Sequence, residues 1–94
     1  MIRIFLGPRF LRSARNLSRE AHAKAEAALS AVAEQFGDPH SHSGLGLRKL
    51  ARGLWECRID LKLRIVLLQE PDRLRAYDIM DHNELRAWLK ARKY

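Results

Sequence analysis

One cysteine in 94 residues excludes an internal disulfide framework, and with it the small secreted domains that depend on one. No uninterrupted apolar run approaches the ~20 residues that a membrane span needs, so no membrane partner is expected. Met1 to Leu6 is apolar but too short for a signal peptide, and arginines follow at once. A cytoplasmic protein is the expectation. Internal repeats and low-complexity tracts are missing too, which removes solenoids and arrays. What remains is a single domain over 1–94, a size that buries about 60–70% of its unfolded surface around one core.

Positive charge is what the chain has in quantity. The formal net charge is +7. Residues 1–44 hold six Lys/Arg against four Asp/Glu, while residues 45–94 hold twelve against seven. Such basicity fits nucleic acid, or an acidic protein that masks the basic face, as well as a merely solvated surface.

The basic half also contains the most regular pattern. Trp55, Cys57 and Ile59 alternate with polar neighbours, and Leu63, Ile65 and Leu67 do the same, the period of two half-buried strands. A slip of one residue would turn one arm's apolar set to the wrong face. The arms must therefore pair Ile59 with Leu63 and Cys57 with Ile65. The same register sets Arg58 opposite Arg64 on the other face, where like charges repel. A polyanion would relieve that repulsion. Glu56, diagonal to Arg64, is the alternative partner. Cys57 falls in the apolar register and reads as core filler.

Elsewhere the elements are shorter. Ile2, Ile4 and Leu6 form a first strand stopped by Gly7-Pro8, and Pro8 opens a short helix over Arg9 to Asn16. Ser18 caps an alanine-rich helix over Arg19 to Phe36, whose face is Ala21, Ala25, Ala28, Leu29, Val32 and Phe36. Gly37 to Gly46 reads as a mobile polar linker. Its His40 and His42 have only Asp38 near them in sequence as a further ligand, so no metal site is expected. Leu47 to Arg52 leads into the hairpin, and Glu70-Pro71-Asp72-Arg73 is a turn. A third strand runs from about Leu74 to Asp81, with both Leu74/Ala76/Met80 and Tyr77/Ile79 as candidates to face inward. His82 opens a last helix with Leu85, Trp88 and Leu89 on one face. The predicted order is β-α-α-β-β-β-α, an α+β domain with helices on one face of a small, mostly antiparallel sheet.

The motif W-x-x-R-x5-R-[IV]-V after Gly53, met here as Trp55, Arg58, Arg64, Ile65 and Val66, resembles the hairpin of the RelE/ParE toxin superfamily of type II toxin–antitoxin modules. Ile2 to Leu6 leading into Pro8 to Leu11 is similar to the family's first strand and helix. Ala76 to His82 is similar to its last strand, which in several branches ends on a histidine. The resemblance places the first strand at an edge of the sheet. It implies a toxin that cuts mRNA on the ribosome without metal or other cofactor, and a cognate antitoxin that covers the basic face. ParE-like members, which inhibit DNA gyrase, and degenerate binding modules are the alternatives.

Cleavage through a ribose 2′-hydroxyl needs a base, cations for the phosphorane-like transition state and an acid for the leaving oxygen. Arg58 and Arg64 suit the cationic role, because a guanidinium fork matches two phosphate oxygens. His82 suits the acid or base role, since histidine titrates near neutral pH. Glu56 is either a general base or the residue that holds Arg64, and the second role fits better. Arg48, Lys49 and Arg52 read as a basic approach to backbone phosphate. The aromatic hydroxyl that family nucleases often place beside the histidine is replaced by Asn83, leaving Tyr77 and Tyr94 as the phenols.

Overall fold

The computed structural model describes residues 1–92 as a five-stranded sheet with four helices, an α+β fold. The elements are β1 (Arg3–Leu6), α1 (Pro8–Ala14), α2 (Arg19–Gln35), α3 (Pro39–His42), β2 (Leu47–Ala51), β3 (Leu54–Arg58), β4 (Leu63–Glu70), β5 (Arg73–Asp81) and α4 (His82–Ala91). Across the sheet the order is β1-β5-β4-β3-β2. β1 runs parallel to β5 at one edge, and the other neighbours are antiparallel. The expected order is met with two additions, β2 and α3.

The hairpin register is the one that parity requires. Cys57 partners Ile65 and Arg58 partners Arg64, and the Ile59 amide donates to the Leu63 carbonyl at 2.9 Å. Asp60 shapes the turn by accepting from the amides of Lys62 and Leu63, both at 2.8 Å. Those two bonds hold its carboxyl below the usual aspartate range.

Both faces of the sheet are covered. Cys57, Ile65, Leu67, Leu74, Ala76 and Ile79 pack with Phe10 of α1 and with Ala25 and Val32 of α2. Leu54, Val66 and Met80 pack with Leu85 of α4, and Trp88 and Leu89 close over them. The expectation that helices share one face therefore holds for α1 and α2, whereas α4 lies on the other. The reason is in β5, whose facing the alternation left open. Val66 partners Asp78 and Leu67 partners Ala76, so Tyr77 is an extra residue, a bulge. Leu74, Ala76 and Ile79 then face the first cluster while Tyr77 and Met80 face the second.

The connections are tightly held. Gly7 donates to the Ala76 carbonyl at 2.9 Å, and a Cβ at Gly7 would lie 3.0 Å from that oxygen. Only glycine lets the chain leave β1 there and begin α1 on Pro8. Ser18 caps α2 as its sequence indicates. The 37–46 segment is a folded connection and not a loose linker. Asp38 caps α3, and His42 accepts from the Gly37 amide at 3.1 Å while its ring packs against Phe36 and Trp55. Asp81 and Glu84 form a reciprocal capping box at the start of α4.

Two substitutions should rank by mechanism in urea unfolding. Leu54→Ala, at a fully buried position under α4, should cost about 2–5 kcal/mol through the cavity it opens. Asp81→Ala should cost about 0.5–2 kcal/mol through the lost cap. Equal losses would mean that α4 is held by its cap and not by its apolar face.

Candidate functional site

At its β2 side the α4-covered face turns from apolar to charged. Two rows of side chains cross it, because residues opposite each other on neighbouring strands share a face. Arg48, Glu56, Val66 and Asp78 make one row, and Arg58, Arg64 and Met80 make the next. Glu56 is the centre of the charged group. Its side chain is 8% exposed, and the same Oε1 lies 3.4 Å from Arg48 Nη2 and 3.4 Å from Arg64 Nε. A buried carboxylate needs such compensation, because an unpaired charge in this position would be strongly destabilising.

The two arginines predicted to act together are not equivalent. Arg64 is 14% exposed at its side chain and paired with Glu56. Its Nη1 is sealed from solvent with no hydrogen-bond partner. Arg58 is exposed, and its guanidinium has no ion pair among the described residues. Mutual repulsion across the hairpin is thus relieved on one side by Glu56 and leaves Arg58 available. The sequence reading treated Arg64 as an exposed residue whose loss opens no cavity. Its burial corrects that.

Of the three residues read as a basic approach, one joins this group. Arg48 reaches Glu56. Lys49 partners Trp55, whose side chain packs with the α1/α2 cluster, so it projects from the opposite face. Arg52 lies in the β2–β3 turn, at the other end of β3 from Arg58. At about 3.3 Å per residue that is roughly 20 Å away.

His82 is exposed at the first position of α4. Leu63 partners Asp81, so His82 stands where β5 ends beside the β3–β4 turn. With Asp81, Asn83, Leu61 and Lys62 it lines an open cavity. No hydrogen bond ties its ring to Asp81 or to any other described residue, and it is not a buried structural histidine. The row of Arg58 and Arg64 lies at the same end of the sheet, with no direct bond to His82. Lys62 is the cation that the sequence reading passed over. Its place in the turn opposite the end of β5 becomes visible only once the hairpin register and the β4–β5 register are combined.

The remaining candidates are structural. Cys57 is buried with its Sγ 3.5 Å from the Leu45 carbonyl oxygen. Burial, helped by the charge of Glu56, pushes its thiol up to about 11 and leaves it inert. Trp88 belongs to the α4 cluster and stacks near Tyr77, with ring centroids 5.2 Å apart. Arg9 lies over the other side of Tyr77. Tyr94 falls outside the described residues. Among the described residues, no group of three or more His, Cys, Asp or Glu side chains is placed to hold a metal ion. No described helix is long and apolar enough to cross a membrane.

No protein-family model and no curated protein matches the sequence. Solved structures do match the fold. The archaeal RelE–RelB complex from Pyrococcus horikoshii OT3 superposes with a TM-score of 0.67 at 10% identity, over 85% of this chain and 93% of that one. The YoeB–YefM complex from Staphylococcus aureus gives 0.64 at 17% identity, over 87% and 98%. YafQ from E. coli strain BL21(DE3) gives 0.65 at 13% identity, over 90% and 98%. The chain has the fold of the RelE/ParE-type toxins.

The inequality of the two arginines has a direct readout. Arg64→Ala strips one of two cations from the buried Glu56 and should destabilise by up to about 3–5 kcal/mol. Arg58→Ala, at an exposed and unpaired position, should stay within about 0.5 kcal/mol of the wild type. Matching urea midpoints for the two variants would remove the structural role of the Glu56–Arg64 pair.

Proposed function

We propose that this chain is the toxin of a type II toxin–antitoxin module and that it cuts mRNA on the ribosome without metal. The observation that supports this best is the pairing of an exposed histidine with a row of arginines at one end of a RelE-type sheet. In the reaction a ribose 2′-hydroxyl attacks the adjacent phosphorus. Its proton leaves to a base, the bond from phosphorus to the 5′-oxygen breaks, and that oxygen takes up a proton. The products are a 2′,3′-cyclic phosphate and a free 5′-hydroxyl.

His82 supplies one of the two proton transfers, as the exposed titratable side chain nearest the arginine row. Arg64 opposes the charge that develops on the phosphoryl oxygens. Glu56 is a poor candidate for the second proton transfer, because its carboxylate is buried and shared by two guanidinium groups. It serves to hold Arg64 in place. A site with one exposed proton-transfer group depends on an outside surface to align the RNA, and the ribosome is such a surface.

The partner in the resting state is a cognate antitoxin, with acidic residues that meet the basic face. RelE and YoeB are named in complexes with RelB and YefM, and YafQ in one with DinJ. Attraction between oppositely charged surfaces accelerates encounter and is screened over about 8 Å at physiological salt. The association rate with the antitoxin should therefore fall as salt rises. A rate that stays constant from low to high salt would remove the electrostatic part of this reading.

Induced expression followed by mapping of RNA 5′ ends tests the nuclease itself. New ends in translated mRNA are expected, and His82→Gln should slow cleavage by about 10²–10⁴-fold while ribosome binding persists. Arg64→Lys should restore little of the activity lost in Arg64→Ala, since a mobile ammonium lacks the guanidinium fork. Intact RNA on translating ribosomes, together with blocked DNA supercoiling, would replace the nuclease with a gyrase inhibitor.

A further inference from the structure

Arg58 borders a cavity on the side away from Arg64. Ser43, Gly44, Leu45 and Gly46, the turn from α3 into β2, line it together with the Arg58 side chain, in a volume of about 320 Å³. Gly46 has φ +68°, and a Cβ there would lie 3.1 Å from the Arg58 Cβ. Glycine thus lets the turn press directly against β3. The Arg58 amide donates to the Gly46 carbonyl at 3.1 Å, which locks the two segments together.

The turn is rigid before any ligand arrives. The Leu45 amide is shared between the Ser41 and His42 carbonyls, and the Gly46 amide donates to the Ser43 carbonyl. Beneath it, His42 is wedged between Phe36 and Trp55 at ring-centroid distances of 5.7 and 5.4 Å. The polar side chains left over are the Ser43 hydroxyl and the Arg58 guanidinium, both exposed and neither hydrogen-bonded through its side chain among the described residues. No carboxylate lines the cavity. A fixed pocket with one free cation, one free hydroxyl and no acid suits a phosphodiester.

We propose that the Ser43–Gly46 turn and Arg58 form a subsite for an RNA backbone phosphate that neighbours the reacting one. The inference rests on the RNA-cleaving reading and divides the two arginines by role. Neighbouring strands are about 4.8 Å apart, so Arg64 on β4 and Arg58 on β3 stand one strand apart along the path of the RNA. Arg64, braced by Glu56, faces the phosphate that reacts. Arg58, free and backed by the glycine turn, anchors a phosphate beside it.

The test uses the full chain and a single-stranded oligoribonucleotide made uncleavable by 2′-O-methylation, with dissociation constants measured across salt concentrations. Gly44→Asp places a carboxylate in the cavity. Position 44 accepts it sterically, because a Cβ there meets only the Ser41 carbonyl oxygen at 3.6 Å. Arg58→Ala and Gly44→Asp should each lower the slope of log K against log salt by about 0.7, the loss of one phosphate contact on a single strand. The double variant should lose no more than Arg58→Ala alone. Gly44→Ala should bind like the wild type. Replacing phosphates one at a time by neutral methylphosphonate should reveal a position that weakens the wild type and leaves Arg58→Ala unaffected. RNA binding with the slope unchanged in both Gly44→Asp and Arg58→Ala overturns the subsite and leaves the RNA reading intact. A wild type that binds no RNA at low salt overturns both.

Discussion

The Glu56 carboxylate is the constraint around which the charged half of the molecule is arranged. It is buried beside Val66, on a face whose other half is apolar and covered by α4. A carboxylate in that position must have cations within reach, and Arg48 from one neighbouring strand and Arg64 from the other provide them. The pairing draws Arg64 inward and fixes its orientation. With Arg64 committed, Arg58 across the hairpin keeps its charge for something outside the molecule. One acid thus sorts three arginines into a brace, a buried electrophilic group and an exposed anchor.

This arrangement offsets a local cost with a functional gain. A guanidinium whose Nη1 is buried without a partner forgoes a hydrogen bond, a loss on the order of 1–3 kcal/mol. An electrostatic group held in this way needs little reorganisation when charge develops near it, which is the condition under which such groups accelerate a reaction most. His82 is fixed by a different device. The Asp81–Glu84 capping box sets the start of α4, and with it the position of the histidine, independently of the ion pairs.

Parity made the central hairpin legible in the sequence, because both of its arms alternate cleanly and only one register buries both apolar sets. Arg58 opposite Arg64, and Glu56 as the partner of Arg64, followed from that alone. β2 was not legible for the opposite reason. Leu47-Arg48-Lys49-Leu50-Ala51 does not alternate, and its pairing with β3 shifts register between Lys49 and Ala51. Lys49 and Arg52 were accordingly grouped with Arg48 although strand geometry separates them. The bulge at Tyr77 hid the facing of β5, and with it the side on which α4 packs. α3 escaped because its four residues read as polar linker, while the contact that anchors it is the packing of His42 on Phe36 and Trp55.

The parallel pairing of β1 with β5 joins Arg3 to Arg73, seventy residues apart in the chain. Local pairings such as the β3–β4 hairpin can form early, but this one must close nearly the whole polypeptide into a loop, the slow kind of contact in folding. During synthesis β1 therefore waits unpaired while α1 and α2 are made, and the edge of β5 is sealed last. The residues that end β5 and begin α4 are those that position His82. A chain still attached to the ribosome that makes it thus lacks its acid–base group in place until almost every residue has been added, so a catalyst directed against translation would be assembled only when its own translation is complete.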